Sequence, residues 1–286
     1  MKLTRRIDSS SAREALAGLI GNVSYEVMPF KKTYDDVLEH VPNHIQLTIT
    51  VTEAKGLEPT LDLAERLSAK GYGVNPHLPA RQIRDRQELS DIVARLREAS
   101  IRRVFVVGGD AAQPAGEFAD SVSLLRALDE TGRPLEAGVT GYPEGHARVP
   151  EADLWDALRS KAPYSSRIVT QICFNAHTTL RWARDVAEAG ISVPIIVGVP
   201  SPVSRQKLVR VTAGIGLGQS VRVLQKQPGL LRKFFTPGGF SPNRLLRDLA
   251  LGQASSPTNI EGLRMFTFNE IAGTEKWRRE MLASLR

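Results

Sequence analysis

Short apolar runs and longer amphipathic segments alternate along the chain. The short runs are rich in β-branched residues and end at glycine, proline or charged residues, which is typical of buried strands. They predict strands over 23–29, 45–52, 73–78, 103–107, 135–142, 167–174, 194–199 and 263–268. The longer segments carry apolar residues three or four positions apart, as amphipathic helices do. They predict helices over 11–20, 34–40, 60–70, 86–99, 118–131, 151–161, 178–189, several pieces of 203–251, and 274–285.

Eight strands that alternate with helices favour an α/β fold with a parallel sheet. The turn after the first strand lacks the Gly-x-Gly-x-x-Gly pattern, so a single closed (β/α)₈ TIM barrel is favoured over an open dinucleotide-binding sheet. One extra helix precedes the first strand, and extra helices lie between strands seven and eight. No change of composition marks a domain boundary, so residues 1–286 are expected to form one catalytic barrel domain, with no regulatory domain after it.

Composition narrows the function classes. The chain carries 38 Lys and Arg against 31 Asp and Glu, a net charge of +7. The basic residues are spread along helices and aromatics make up only 6%, which argues against nucleic-acid binding, and a polyanionic cofactor or cosubstrate explains the excess of positive charge as well. No apolar run approaches the ~20 residues of a membrane span, so a cytoplasmic protein without membrane contact is expected. The single cysteine, Cys173, excludes a disulfide within the chain, and no motif predicts a metal site.

Two carboxylates at predicted strand ends are candidates for chemistry. Asp110 follows Gly108 and Gly109, which would let a flat ligand approach the backbone, although the three residues could simply cap the next helix. Glu26 lies by alternation on the opposite face of its strand from Tyr25. Burial should raise the pKa of Glu26, which suits a general acid. The alternative for Glu26 is a buried ion pair with an arginine of the barrel.

Other strand ends carry further polar groups. His77 lies between two prolines, where it could contact a phosphate or ribose or be a structural histidine. Tyr142 ends the predicted fifth strand, and Glu144 and His146 follow it. Gln171 in the sixth offers a donor pair and an acceptor, which complement the amide-like edge of a pterin.

Taken together, these strand ends resemble the methylenetetrahydrofolate reductase family. The matching segments are 23–29 (Val-Ser-Tyr-Glu-Val-Met-Pro), 76–78 (Pro-His-Leu), 109–110 (Gly-Asp), 142–146 (Tyr-Pro-Glu-Gly-His), 170–171 (Thr-Gln), Val199 with 202–204 (Pro-Val-Ser), and 266–269 (Phe-Thr-Phe-Asn). They occur in family order over essentially the whole chain. The resemblance implies a barrel that holds FAD, takes hydride from NADH or NADPH, and reduces 5,10-methylenetetrahydrofolate to 5-methyltetrahydrofolate.

The resemblance also implies roles for individual residues. Glu26 resembles the acid that protonates N10, Asp110 the carboxylate that stabilises the cationic iminium near flavin and pterin, and Gln171 a folate ligand. It further implies a folate contact at Asn269 and cofactor contacts at Thr50, His77, Gly109, Asp110, Phe118, Tyr142, His146, Asp153 and Lys161. A homo-oligomer is expected, and a role in methionine biosynthesis or in catabolic one-carbon metabolism stays open.

Four residues at three places in the chain depart from the family pattern. Gly108 stands where members commonly have an arginine at the cofactor, Arg205 and Gln206 replace an aromatic that supports nicotinamide stacking, and Glu270 replaces an arginine after Asn269. These departures leave two alternatives open. One is a relative that passes hydride directly from NADH without flavin, and the other is a folate-binding protein of the same fold without reductase activity.

Overall fold

The computed structural model describes residues 9–52, 55–132, 135–146, 149–203 and 241–285. Its strands form a closed barrel in chain order. They are β1 (Val23–Val27), β2 (Gln46–Ile49), β3 (Val74–Pro79), β4 (Arg103–Val107), β5 (Glu136–Gly141), β6 (Arg167–Ile172), β7 (Ile195–Pro200) and β8 (Ile260–Phe266). All neighbours pair in parallel, and β1 pairs with β8 to close the ring. The predicted (β/α)₈ barrel is confirmed.

Helices follow the strands and surround the barrel. They are α1 (Ser10–Gly21), α2 (Thr33–His40), α3 (Glu58–Ser68), α4 (Arg86–Glu98), α5 (Ser121–Glu130), α6 (Glu151–Lys161), α7 (Ala176–Glu188), α8 (Asn243–Ser255) and α9 (Ile271–Leu285). Short 3₁₀ helices cover Ala80–Gln82 and Ala162–Tyr164. The extra helix before the first strand is α1. Of the helical pieces predicted between β7 and β8, the structure describes α8, and the others fall on 204–240, outside the described residues. No described helix has the length and apolar character needed to cross a membrane.

Side-chain alternation along β1 separates the outer core from the barrel interior. Tyr25 points outward, and its hydroxyl donates a hydrogen bond to Glu275 of α9 at 2.6 Å. Glu275 also accepts two hydrogen bonds of 2.8 Å from Arg278, and this buried group ties β1 to the last helix. Glu26 consequently points inward. Barrel interiors are more often filled by branched apolar residues, so the inward carboxylate marks this one as unusual.

Five strands, β1, β2, β5, β6 and β8, end earlier than the sequence pattern predicts, and β2 and β8 show the reason. The predicted second strand reaches residue 52, but β2 ends at Ile49, and residues 50–52 belong to the loop that follows. The predicted eighth strand reaches residue 268, but β8 ends at Phe266. Phe268 and Asn269 have φ values of 50° and 56°, a left-handed conformation that no strand can continue through.

Candidate active site

One cleft at the carboxyl ends of the strands brings together Glu26 of β1, Asp110 after β4 and Gln171 of β6. These three residues are far apart in the sequence, and the closed parallel barrel is what places their strand ends side by side. Other residues that line the cleft are Met28, Thr50, Thr52, His77, Gln82, Phe105, Gly109, Thr140, Tyr142, Thr170, Arg264, Phe266 and Phe268. The cleft therefore combines aromatic walls with a few inward polar groups, which is the usual composition of a small-molecule site.

Glu26 has the protonation behaviour that an acid in this cleft requires. Burial raises the pKa of its carboxyl to about 7, and the nearby Arg264 guanidinium acts in the opposite direction. The carboxylate Oε2 lies 3.9 Å from Nη1 of Arg264 and 3.8 Å from Nε2 of His77. The sequence left two alternatives for Glu26, a general acid and an ion pair with an arginine of the barrel, and both describe it in part. Its carboxyl faces a barrel arginine and still holds its proton near neutral pH.

His77 is buried beside Glu26 on β3. Burial and the positive charge of Arg264 keep the pKa of His77 well below its usual value of 6.5, so its imidazole is neutral at physiological pH. Its ring centroid lies 4.8 Å from that of Phe105. Within the described residues Nε2 has no hydrogen-bond partner. A buried ring nitrogen in that state is suited to a polar ligand atom.

The turn after β4 places Asp110 at the cleft. Gly109 has a φ of +90°, and a Cβ at this position would lie 3.2 Å from Cβ of Pro79. Glycine is therefore needed for this turn. A Cβ on the preceding Gly108 would meet no atom within 4 Å. The position where the family pattern has an arginine is thus open space.

A local irregularity in β6 orients Gln171. The pairing of β6 with β7 shifts register between Val169 and Ile172, and such irregularities redirect side chains near active sites. Gly198 of β7 makes the close approach possible, because a Cβ there would lie 2.5 Å from the Thr170 carbonyl oxygen. The amide oxygen of Gln171 accepts a hydrogen bond from the Ile172 N–H at 2.9 Å. Its amide nitrogen makes no hydrogen bond to the part of the chain that is described, so it can donate to a ligand.

Several predicted cofactor and folate residues lie outside the cleft. Phe118 is buried in the hydrophobic core, and Asp153 is exposed on the first turn of α6. His146 packs its ring edge-on against Tyr142, with centroids 5.3 Å apart. Lys161 is buried at the end of α6, where Nζ donates to the carbonyl oxygen and the hydroxyl of Thr140 at 2.9 and 3.1 Å. Of these residues, Lys161 and His146 contact two residues that line the cleft, Thr140 and Tyr142.

Asn269 ties the loop after β8 to the loop after β1. Its amide nitrogen donates to the Met28 carbonyl oxygen at 3.0 Å and to the Thr33 hydroxyl at 2.7 Å, and its amide oxygen accepts from the Met28 N–H at 2.8 Å. Both amide hydrogens are occupied, so the side chain has no donor left for a folate. Glu144 has a similar structural use, because its carboxylate accepts from the N–H groups of Phe174 and Asn175 at 2.6 and 2.7 Å.

Sequence reasoning did not identify Arg264, Phe105 and Gln82 as cleft residues. A signal was present for Arg264, because it stands between Leu263 and Met265 in a strand whose apolar neighbours face the helices. Alternation therefore turns Arg264 into the barrel. Gln82 follows β3 in a short 3₁₀ helix, where sequence patterns do not predict the direction of a side chain.

Comparison with known proteins identifies the family of the chain. The family model for methylenetetrahydrofolate reductase matches residues 24–218, which is more than half of the chain. The chain belongs to the methylenetetrahydrofolate reductase family. Curated relatives include the 5,10-methylenetetrahydrofolate reductases of Pectobacterium carotovorum, 31% identical over 143 residues, and of Salmonella typhimurium, 32% identical over 143 residues. Each match covers 48% of this chain and 46% of the relative, so the similarity to these reductases spans about half of their length.

A solved structure shows the same fold at low sequence identity. It is a protein of Clostridium thermocellum that binds two copies of 5-methyl-5,6,7,8-tetrahydrofolic acid. The TM-score is 0.57 with 13% identity, and the match covers 97% of both chains. At this identity the likeness establishes the barrel alone.

Proposed function

We propose that the chain is a 5,10-methylenetetrahydrofolate reductase. Overall, NAD(P)H, one proton and 5,10-methylenetetrahydrofolate give NAD(P)⁺ and 5-methyltetrahydrofolate. The observation that carries this proposal is the shared cleft, in which a protonatable Glu26, the Asp110 carboxylate and the Gln171 amide face one space. Family membership supports the same substrate. We also propose that the protein functions in the cytoplasm and assembles as a homo-oligomer.

Each of the three residues has a task in this reaction. Glu26 holds a proton near pH 7 and gives it to N10 of the folate, which opens the five-membered ring. Asp110 lies where a fixed negative charge stabilises the cationic iminium that ring opening produces. Gln171 donates from its amide nitrogen to the pterin edge and so orients the carbon that accepts hydride.

FAD is the proposed cofactor, and NADH or NADPH the proposed hydride source. When bound, FAD would relay hydride from the nicotinamide to the folate. Cleft residues that fit a flat ring with polar edges are Thr50, His77, Gly109, Asp110 and Tyr142, and buried atoms without described partners, Nε2 of His77 and Oε1 of Gln82, lie among them. The Phe105 ring lines the same cleft and would help to exclude water from a bound cofactor and substrate.

A flavin-free reductase is the second candidate, and one observation favours it. Gly108 leaves open space where the family pattern has an arginine, so the cation that this arginine would bring to the cofactor is missing. Hydride would then pass directly from NADH to the folate. Glu26, Asp110 and Gln171 would have the same roles in this reaction, because protonation and iminium stabilisation are needed whichever donor supplies hydride.

An absorption spectrum and an activity assay together distinguish the candidates. A flavoenzyme should be yellow as purified or after addition of FAD, and NADH should bleach the flavin band under anaerobic conditions. Folate-dependent NADH oxidation by protein shown to be free of flavin selects the direct reaction. Absence of 5-methyltetrahydrofolate in both preparations refutes reductase activity and leaves a folate-binding protein.

Substitution of Glu26 tests the acid role. Glu26→Gln should still bind folate, while the rate of folate reduction should fall by roughly 10²–10⁴-fold, since that is the contribution of a general acid. The control is Glu98→Gln, which removes a carboxylate from the exposed end of α4. An unchanged reduction rate in Glu26→Gln would contradict the assignment.

A further inference from the structure

Arg264 is the least explained residue of the cleft. It lies in the middle of β8 and is only 3% exposed. Its guanidinium carbon stacks on the Phe105 ring, 4.2 Å from the centroid. Burial lowers the pKa of Arg264 to about 10, so the group keeps its positive charge at neutral pH. A buried charge is costly unless a nearby group compensates it. The groups near Arg264 therefore indicate what its charge is used for.

Within the described residues, Arg264 makes no hydrogen bond to the protein, and its Nε is fully buried without a partner. The nearest carboxylate is Glu26, with 3.9 Å between Nη1 and Oε2. That distance is too long for a direct hydrogen bond and is compatible with a bridging water or ligand atom. Arg264 is thus held by stacking and burial at a fixed position, and it acts on Glu26 through its charge.

We propose that Arg264 is a positioning residue of the reductase site, whose buried and stacked guanidinium places a fixed positive charge beside the Glu26 carboxyl and so controls the release of its proton to the substrate. This inference rests on the proposed function. It assigns a task to a residue that touches the acid but is not required to touch the folate. It also explains why a cation is buried inside the barrel within 4 Å of a carboxyl that must carry a proton.

Among the charged groups around Glu26, Arg264 has the main effect on the pKa of its carboxyl, after burial. On β3, His77 is neutral and adds no charge. On β2 and β8, the residues paired in register with Glu26 are the uncharged Thr48 and Phe266. Arg167 of β6 acts on Arg264. Asp110 lines the same cleft from the turn after β4.

The charge of Arg264 predicts the direction of a change in pH dependence. Burial raises the pKa of Glu26, and Arg264 lowers it. Removal of the cation leaves burial unopposed, so Glu26 should keep its proton to higher pH. An opposite charge at this distance changes a pKa by about 1–3 units. The maximal rate should fall at the same time, because a weaker acid transfers its proton less readily.

The test compares Arg264→Met, Arg264→Lys and the control Arg167→Met, which removes a cation that does not face Glu26. The measurements are the pH profile of kcat for folate reduction and the titration of the Glu26 carboxyl. Infrared difference spectra against Glu26→Gln identify the carboxyl band. Arg264→Met should move the pH profile of kcat and the titration of Glu26 upward by at least about one pH unit. Arg264→Lys should lie between wild type and Arg264→Met, since a lysine ammonium keeps the charge but loses the planar stacking.

Two results would overturn the inference. One is a Glu26 titration that neither Arg264 variant moves, and the other is an equal shift in Arg167→Met. Should Arg264→Met fail to fold, the titration of folded Arg264→Lys decides alone. The infrared titration needs no turnover, so it tests Arg264 even in a protein without reductase activity, whereas absent product in wild type refutes the proposed function itself.

Discussion

The raised pKa of Glu26 predicts that the proposed acid destabilises the fold at alkaline pH. A carboxyl whose folded-state pKa exceeds its unfolded value stabilises the fold fully only below the unfolded pKa, and it loses this contribution as pH rises through the folded pKa. For Glu26 that window runs from 4.5 to about 7. Each pKa unit is worth about 1.4 kcal/mol, so the whole contribution is about 3 kcal/mol.

Glu26→Gln removes the titration and keeps the size of the side chain. Relative to wild type, the variant should therefore gain about 3 kcal/mol of unfolding free energy between pH 4 and pH 8. Most of this gain should appear between pH 5 and pH 7. The assay is urea unfolding of both proteins at several pH values, with Glu98→Gln to account for the loss of one negative charge. A constant difference between Glu26→Gln and wild type across this range would refute the argument from burial.

Three further substitutions test other parts of the site and its support. Asp110→Asn should slow folate reduction more than it slows NADH oxidation by bound flavin, and equal slowing of both half-reactions would argue against its role beside the iminium. Glu275→Gln should lower the unfolding free energy by about 3–5 kcal/mol, because it leaves the buried Arg278 without its anion; a urea midpoint like that of wild type would contradict this. Gly109→Ala should cost about 1–2 kcal/mol of stability from its left-handed backbone and displace Asp110 by contact with Pro79, so unchanged stability and folate affinity would show that glycine is not required.

The strands were predictable because each is a short β-branched run between polar or glycine residues. β4 and α6 begin and end at the predicted residues. Errors arose at strand ends, where conformation depends on contacts between distant loops. At the end of β8, for example, Asn269 binds Met28 across the closure of the barrel, and no pattern local to Asn269 contains that contact.

The inward-facing part of the site was also predictable from strand ends, as Glu26, His77 and Gln171 show. The placement of the other predicted site residues could be read only from the three-dimensional structure. Lys161 matches the family pattern in sequence, but its ammonium donates to the carbonyl oxygen and the hydroxyl of Thr140, and Lys161 does not line the cleft. Motifs specify residue types, whereas the direction of a side chain is set by packing that the motif does not contain.

The hydrogen bond from Tyr25 to Glu275 joins residues 250 positions apart. During synthesis on the ribosome, β1 can pair with β2 early, whereas its contacts with β8 and with Glu275 form only after the last helix has been made. A nascent chain stalled before α9 would therefore carry every proposed active-site residue while β1 is not yet tied to the last helix. Mutations in α9 should accordingly weaken the support of the candidate site, although they lie far from the cleft.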